Sequence, residues 1–425
     1  MSLYEETKFD LIQDNLSNVK PADILVFCVV RNEQKRLPWF LKYYRDLGVS
    51  HFLIIDNCSD DNTINILVDN NDISVFSSSE SYARSSAGRL WTSTLAIKYG
   101  IGHWCLTIDA DELLTYPNAE KIKLNGLCGY LDSNGYQGFY TMMLDMYGKE
   151  ELDRSFYEPG KPFIEHHNYV DPPTNYSIKW SSNFPYLQII GGPRHRMLGV
   201  DEKQNSPSMK KVPLVKWHED FRYLYSTHSC TPIKLSRTTG VLLHYKFLEN
   251  FKEFVSRELK RGDRTRIDHY ESYQRALDRN KTLHYKDSLK IASSKDITVN
   301  NFMHVSNDYT DYFGMSDEKL ICQSNMAVND LKVNGNYANE SIRPENLGSM
   351  IMFPSVWETF NRALYVDSDY IRISSDDLLA EDMRTKLNQY PKISKIITRL
   401  WALNIYIQKK WNRLLLFVAK GLFIR

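Results

Sequence analysis

Apolar and polar positions come in alternating blocks along the first third of the chain. Residues 24–30, ILVFCVV, are an almost unbroken apolar run, the pattern of a parallel strand covered on both faces. It ends in Arg31-Asn32-Glu33. Leu37, Phe40, Leu41, Tyr44 and Leu47 then recur at helical spacing, and Gly48 supplies the stop. A second strand, 51–55, runs into Asp56-Asn57-Cys58-Ser59, and a short helix is predicted over 64–68. A third strand over 73–76 leads into a longer helical stretch, 82–99. Next comes HWCLTIDADELL, 103–114, in which the apolar run Trp104 to Ile108 delivers Asp109, Ala110, Asp111 and Glu112 without a break. Strands alternating with helices predict an α/β fold built on a mostly parallel sheet with right-handed crossovers.

Three of these strands end in polar or acidic tips on one edge of the sheet, where open α/β sheets bind their ligands. Two aspartates one residue apart, Asp109 and Asp111, suit Mg²⁺ or Mn²⁺ holding a diphosphate. The alternative is an acidic turn that caps a following helix. Asp56 falls near the base of a bound nucleotide, and Arg31, Asn32 and Glu33 line the same crevice. Arg84 and Arg89 are in reach of a diphosphate or else belong to a solvated helix face. For residues 56–59 the plainer reading is a turn, because Asp, Asn and Ser form turns readily.

The stretches RNEQKRLPWFLKYYRDLGV, FLIIDNCSDDNT and LTIDADELL resemble, in order and spacing, a GT-A-fold glycosyltransferase of the family 2 type. More narrowly, they resemble the bacterial family 2-like branch. The resemblance is close over 22–150 and looser to about 260. It implies transfer of a sugar, hexosyltransferase-like and inverting, from a nucleotide-sugar donor to a saccharide or lipid-linked acceptor. The setting it implies is cell-surface polysaccharide or glycolipid synthesis. It places Asp56 at the base, with Asn57 among the nucleotide-sugar-binding residues, and Arg31, Asn32 and Glu33 near base and ribose. Asp109 and Asp111 match the pair that binds the metal and the donor diphosphate, and Arg89 falls at the phosphate side. His244 is the implied third metal ligand, with His228 the second choice. The catalytic base would be Glu219 or Asp220, in an acidic pair, with Asp201-Glu202 as a further candidate.

Beyond this region the chain is less informative. Residues 138–147 read as a strand opening toward an acceptor, and 151–185 as a proline- and aromatic-rich loop. Gly191 to Arg196, a glycine turn with two arginines, fits phosphate or an anionic acceptor, or a basic surface loop. Residues 249–294 read as charged helices. Between Met383 and Arg425 there is no Asp or Glu, while basic, aromatic and aliphatic residues intermix. That mixture suits a helix on an anionic membrane surface; docking on the domain or on a second subunit is the alternative. The expected division is an N-terminal extension (1–21) and a catalytic domain (22–248). The domain splits into a nucleotide-sugar half (22–114) and an acceptor half (115–248). A mainly helical extension (249–382) and a basic amphipathic segment (383–425) follow.

Composition narrows the function class. Net charge is +1 over 425 residues, with 42% hydrophobic and 25% charged residues, so no global field favours nucleic acid. The six cysteines form no CxxC pair and read as buried thiols in a reducing compartment. The start carries no apolar signal segment. No run reaches the roughly 18 apolar residues of a spanning helix. A glycan on the sequon Asn57-Cys58-Ser59 would block the crevice. The expected location is cytoplasmic, peripheral on the inner face of the cell membrane. Two other classes compete with a glycosyltransferase. A nucleotidyltransferase would normally show a glycine-rich loop after the first strand, and Arg31 to Gln34 contains no glycine. A non-catalytic membrane-associated scaffold could keep the same fold.

Overall fold

The computed structural model describes residues 9–180, 184–185, 187–196, 207–224, 226–279 and 281–315. The basic segment 383–425, the stretch 316–382 and the Asp201-Glu202 pair lie outside the described residues. The chain opens with β1 (Asp10–Gln13), β2 (Ile24–Val30), α1 (Leu37–Leu47), β3 (His51–Asp56), α2 (Thr63–Val68), β4 (Ile73–Ser77), α3 (Arg89–Tyr99) and β5 (Trp104–Thr107). It continues through β6 (Glu112–Thr115), α4 (Leu124–Ser133), β7 (Gly138–Asp145), α5 (Phe163–His166), β8 (Tyr169–Val170), β9 (Tyr176–Trp180) and β10 (Leu187–Gly191). After α6 (Gly192–Arg196) come β11 (Lys210–Lys216), β12 (Gly240–His244), α7 (Phe251–Arg261) and α8 (Ile267–Leu277). The short elements β13 (Leu289–Lys290), α9 (Ser294–Val299) and α10 (Asn307–Phe313) close the described chain.

Nine strands form one sheet in the order β1-β4-β3-β2-β5-β11-β7-β12-β6. β4, β3, β2 and β5 run parallel, and β11 runs antiparallel between β5 and β7. β12 is parallel to β7, while the edge strands β1 and β6 are antiparallel to their neighbours. The C-terminal ends of β2, β3, β5, β7 and β12 therefore share one rim. The fold is α/β, with a large, mostly parallel mixed sheet flanked by helices.

The apolar blocks explain this arrangement. β2 and β3 are buried along nearly their whole length, as strands covered on both faces must be. α1 buries Leu37, Phe40, Leu41, Tyr44 and Leu47, and Gly48 ends it at φ 107°, a conformation that costs a residue with Cβ. One expectation shifts and one alternative falls away. The helix expected from residue 82 starts at Arg89, because Ser86, Ala87 and Gly88 take φ of 56°, 57° and 77° and break the helical path. The acidic stretch also does not cap a helix. The chain turns at Asp109 and returns as β6, pairing with β12.

β6 is the last strand, and its outer edge is closed by two tyrosines of α1. The Tyr44 hydroxyl donates to the Glu112 carbonyl at 3.0 Å and accepts from the Leu114 amide at 2.9 Å. The Tyr43 hydroxyl donates to the Leu114 carbonyl at 2.7 Å. One core runs through the sheet and its helices, and a smaller apolar cluster joins α7 and α8 to Tyr147 and Phe247.

Candidate functional site

Asp56 ends β3 and is buried. Its Oδ2 accepts from the Ser59 amide at 3.1 Å, which fixes the turn. Its Oδ1 is buried with no hydrogen-bond partner among the described residues. An unmatched buried acceptor costs free energy, so its persistence calls for a reason. Beside it the Asn57 side chain donates to the carbonyls of Ser78 and Glu80 and accepts from Arg261 at 3.0 Å. Arg31 donates to the Asn57 carbonyl, and Asn32, at φ 56°, exchanges hydrogen bonds with Asp60. Arg31, Asn32, Asp60, Arg257, Glu258 and Arg261 line a cavity of about 120 Å³ here. Glu33 pairs with Arg36 at 3.0 Å; burial pushes its carboxyl up to about 7 against the pull of Arg36.

Further along the rim, Asp111 and His244 meet. His244 ends β12, and its Nε2 lies 3.4 Å from Asp111 Oδ2. Its Nδ1 lies 2.6 Å from Asp145 Oδ1 at the end of β7, and Asp145 is fully buried. Arg194 donates to the other Asp145 oxygen at 2.7 Å. A carboxylate on Nδ1 fixes the ring so that Nε2 faces Asp111, the arrangement that orients metal-binding histidines. Burial works against charge on Asp111, but His244, Arg36 and Lys246 outweigh it and hold the carboxyl well below the usual range. Burial likewise opposes charge on His244, while Asp111 and Asp145 raise its pKa overall.

The neighbours of Asp111 differ from it. The Asp109 side chain is 58% exposed and lies 3.8 Å from Lys211 Nζ. Glu112 is buried and pairs with the equally buried Lys211 at 2.6 Å, and its Oε2 also accepts from the Asp109 amide at 3.0 Å. Burial opposes the Lys211 charge, yet Asp109 and Glu112 together raise its pKa. The pair braces the turn that presents Asp109 and Asp111.

A cavity of about 270 Å³ opens beside Asp109. Its wall includes Thr107, Gly88 and Tyr82 from the first half of the sheet and Arg194, His228, Lys246 and Arg264 from later in the chain. The loop after α7 shapes it. Asp263 accepts from the Ser81 hydroxyl and from the amides of Tyr82 and Ala83, and Arg264 lies 5.1 Å from the Tyr82 ring centre.

The structure thus gathers Arg31, Asn32, Glu33, Asp56, Asn57, Asp109, Asp111 and His244 on one rim. It does not bring Glu219 and Asp220 there. β11 runs against β5, with Lys216 opposite Trp104, so the turn after β11 lies at the opposite end of the sheet. Trp217 and His103 are hydrogen-bonded at that end. The two carboxylates are therefore displaced from the base role by strand direction. Arg89 is buried and donates to the Tyr223 carbonyl at 3.0 Å, a bracing contact. Arg84 is exposed. His228 bonds the Lys210 carbonyl through Nδ1, and burial lowers its pKa to about 3. Arg194 and Arg196 are committed to Asp145 and Asp171.

Asp145 and Lys211 belong to the site and escaped the sequence reading. Asp145 carried a usable signal, since it ends an apolar strand as Asp56 and Asp109 follow theirs. Lys211 carried none. Among the described residues no cluster of three or more His, Cys, Asp or Glu side chains is placed to hold a metal. Asp111 and His244 could supply two ligands, and a site that borrows phosphate oxygens needs few from the protein. The donor set fits a divalent cation held jointly with a diphosphate. No protein-family model matches the chain, and no curated protein matches it.

Proposed function

We propose that the chain is a GT-A-type glycosyltransferase that moves a sugar from a nucleotide-sugar donor to a saccharide or lipid-linked acceptor. The observation that carries this reading is the Asp111–His244–Asp145 relay on the same rim as the buried Asp56 carboxylate with its unmatched Oδ1. Asp56 Oδ1 is an acceptor for a base N–H. Arg31 and Asn32 border the ribose. Asp109 faces the donor, and Asp111 with His244 Nε2 would hold the cation. A carboxylate with an imidazole favours Mn²⁺ over Mg²⁺, because Mg²⁺ takes oxygen ligands. The ion, when bound, neutralises charge on the departing nucleoside diphosphate. Asp145 keeps the His244 ring in one orientation and holds the Nδ1 proton. In the transfer, an acceptor hydroxyl oxygen bonds to the anomeric carbon as the carbon–phosphate-oxygen bond breaks, and the hydroxyl proton passes to solvent at the open rim. The bonding pair leaves with the diphosphate, and the configuration inverts.

The expected products are surface polysaccharide or glycolipid, made at an anionic membrane face through segment 383–425. Among the described residues no helix is long and apolar enough to cross a membrane. The test is donor turnover by Asp111→Ala with Mn²⁺ present. Loss of more than about 100-fold, with an unchanged melting curve, is expected for a metal ligand. Wild-type-like turnover in that variant would overturn the assignment.

A further inference from the structure

The wall of the larger cavity contains four cationic side chains that fall into two kinds. Arg194 pairs with Asp145, Arg264 with Glu258 and Arg266 with Asp268. Lys246 is two residues beyond His244 and has no carboxylate partner among the described residues. Its ammonium rests on aromatic faces, 5.2 Å from the Phe254 ring centre and 5.5 Å from that of Tyr270. Those two rings come from α7 and α8, so the helical extension builds the cradle. Ring faces attract a cation and fix its position but leave its hydrogen-bond donors open. Lys246 is also near enough to Asp111 that its charge helps keep that carboxyl ionised.

We propose that Lys246 is a second cation for the donor diphosphate, acting from the cavity that opens beside Asp109. This rests on the glycosyltransferase reading and deepens it. The diphosphate is held between a cation carried by the rim and an ammonium carried by the protein, so part of its binding is independent of metal. The extension from α7 onward thereby contributes to the donor site.

The test is calorimetric titration of the full chain with UDP and with GDP, each in Mn²⁺ and in EDTA. Lys246→Met keeps the packing stem and removes the charge; Lys246→Arg keeps the charge, and thermal melting checks both variants for folding. A charged hydrogen bond of the usual strength corresponds to about tenfold or more in affinity. Wild type should bind one diphosphate in Mn²⁺ and retain measurable binding in EDTA. Lys246→Met should lose about tenfold in Mn²⁺ and all binding in EDTA, with partial recovery in Lys246→Arg. UMP, with one phosphate fewer, should lose less. Equal affinities of wild type and Lys246→Met in EDTA would overturn the proposal and leave the glycosyltransferase reading standing. A wild type that binds neither diphosphate under either condition would overturn both. Should Lys246→Met melt early, Lys246→Gln replaces it in the same titrations.

Discussion

Asp111 and Glu112 are consecutive carboxylates with opposite environments. Asp111 points to the open rim, where its partner is a histidine whose own ring is held from behind. Glu112 points inward, where its partner is the buried Lys211. The histidines repeat the contrast: two carboxylates raise the pKa of His244, whereas burial lowers that of His228 to about 3. Residue type thus says little about role here. What decides is which face of the strand the side chain takes and what stands opposite it.

The largest effect is expected from Lys211→Met, which strands Glu112 without a cation. Removing one partner of a buried pair costs roughly 3–5 kcal/mol, so denaturant unfolding should shift by that much. Lys211→Met combined with Glu112→Leu should recover most of it, because an apolar pair of similar volume replaces the ions. If Lys211→Met unfolds like wild type, the pair does not brace the turn.

A smaller effect comes from His228. Its folded-state pKa lies below its unfolded value, so the neutral ring's contribution is present above about pH 6.5 and is lost as pH falls toward about 3. Wild type should therefore lose stability across that window from this group. His228→Gln should flatten that part of the stability–pH curve; a parallel curve would show that the ring already titrates normally.

The smallest effect is expected from Glu219→Ala and Asp220→Ala. Both side chains lie at the far end of the sheet, so stability should stay within about 0.5 kcal/mol and nucleotide affinity should not change. A large loss of turnover in either variant would mean that these carboxylates reach the rim by a route the sheet topology does not offer.

This displacement shows what was legible in the chain and what was not. The strands from β2 to β5 can be read almost residue by residue, because runs such as ILVFCVV are long, doubly covered and followed by polar tips. In a parallel sheet those tips must share one rim, so Asp56 and Asp109 could be grouped without coordinates. The second half obeys no such rule. KKVPLVK at 210–216 forms a strand, but nothing in its sequence says that it runs against its neighbours, and direction alone moves Glu219 and Asp220 to the wrong end. The return of the chain as β6 was hidden for a related reason. Asp109 to Glu112 looks like one continuous acidic tip, and the reversal depends on Glu112 finding Lys211, a residue 99 positions away.

The tyrosine closure of β6 has a consequence for how the molecule behaves in company. Bare strand borders offer amide and carbonyl groups to any extended peptide nearby and so invite clumping. By occupying those groups with phenol hydroxyls, Tyr43 and Tyr44 let the sheet stop without a further strand. They also keep the strand that carries Glu112 from being annexed by a stranger's backbone.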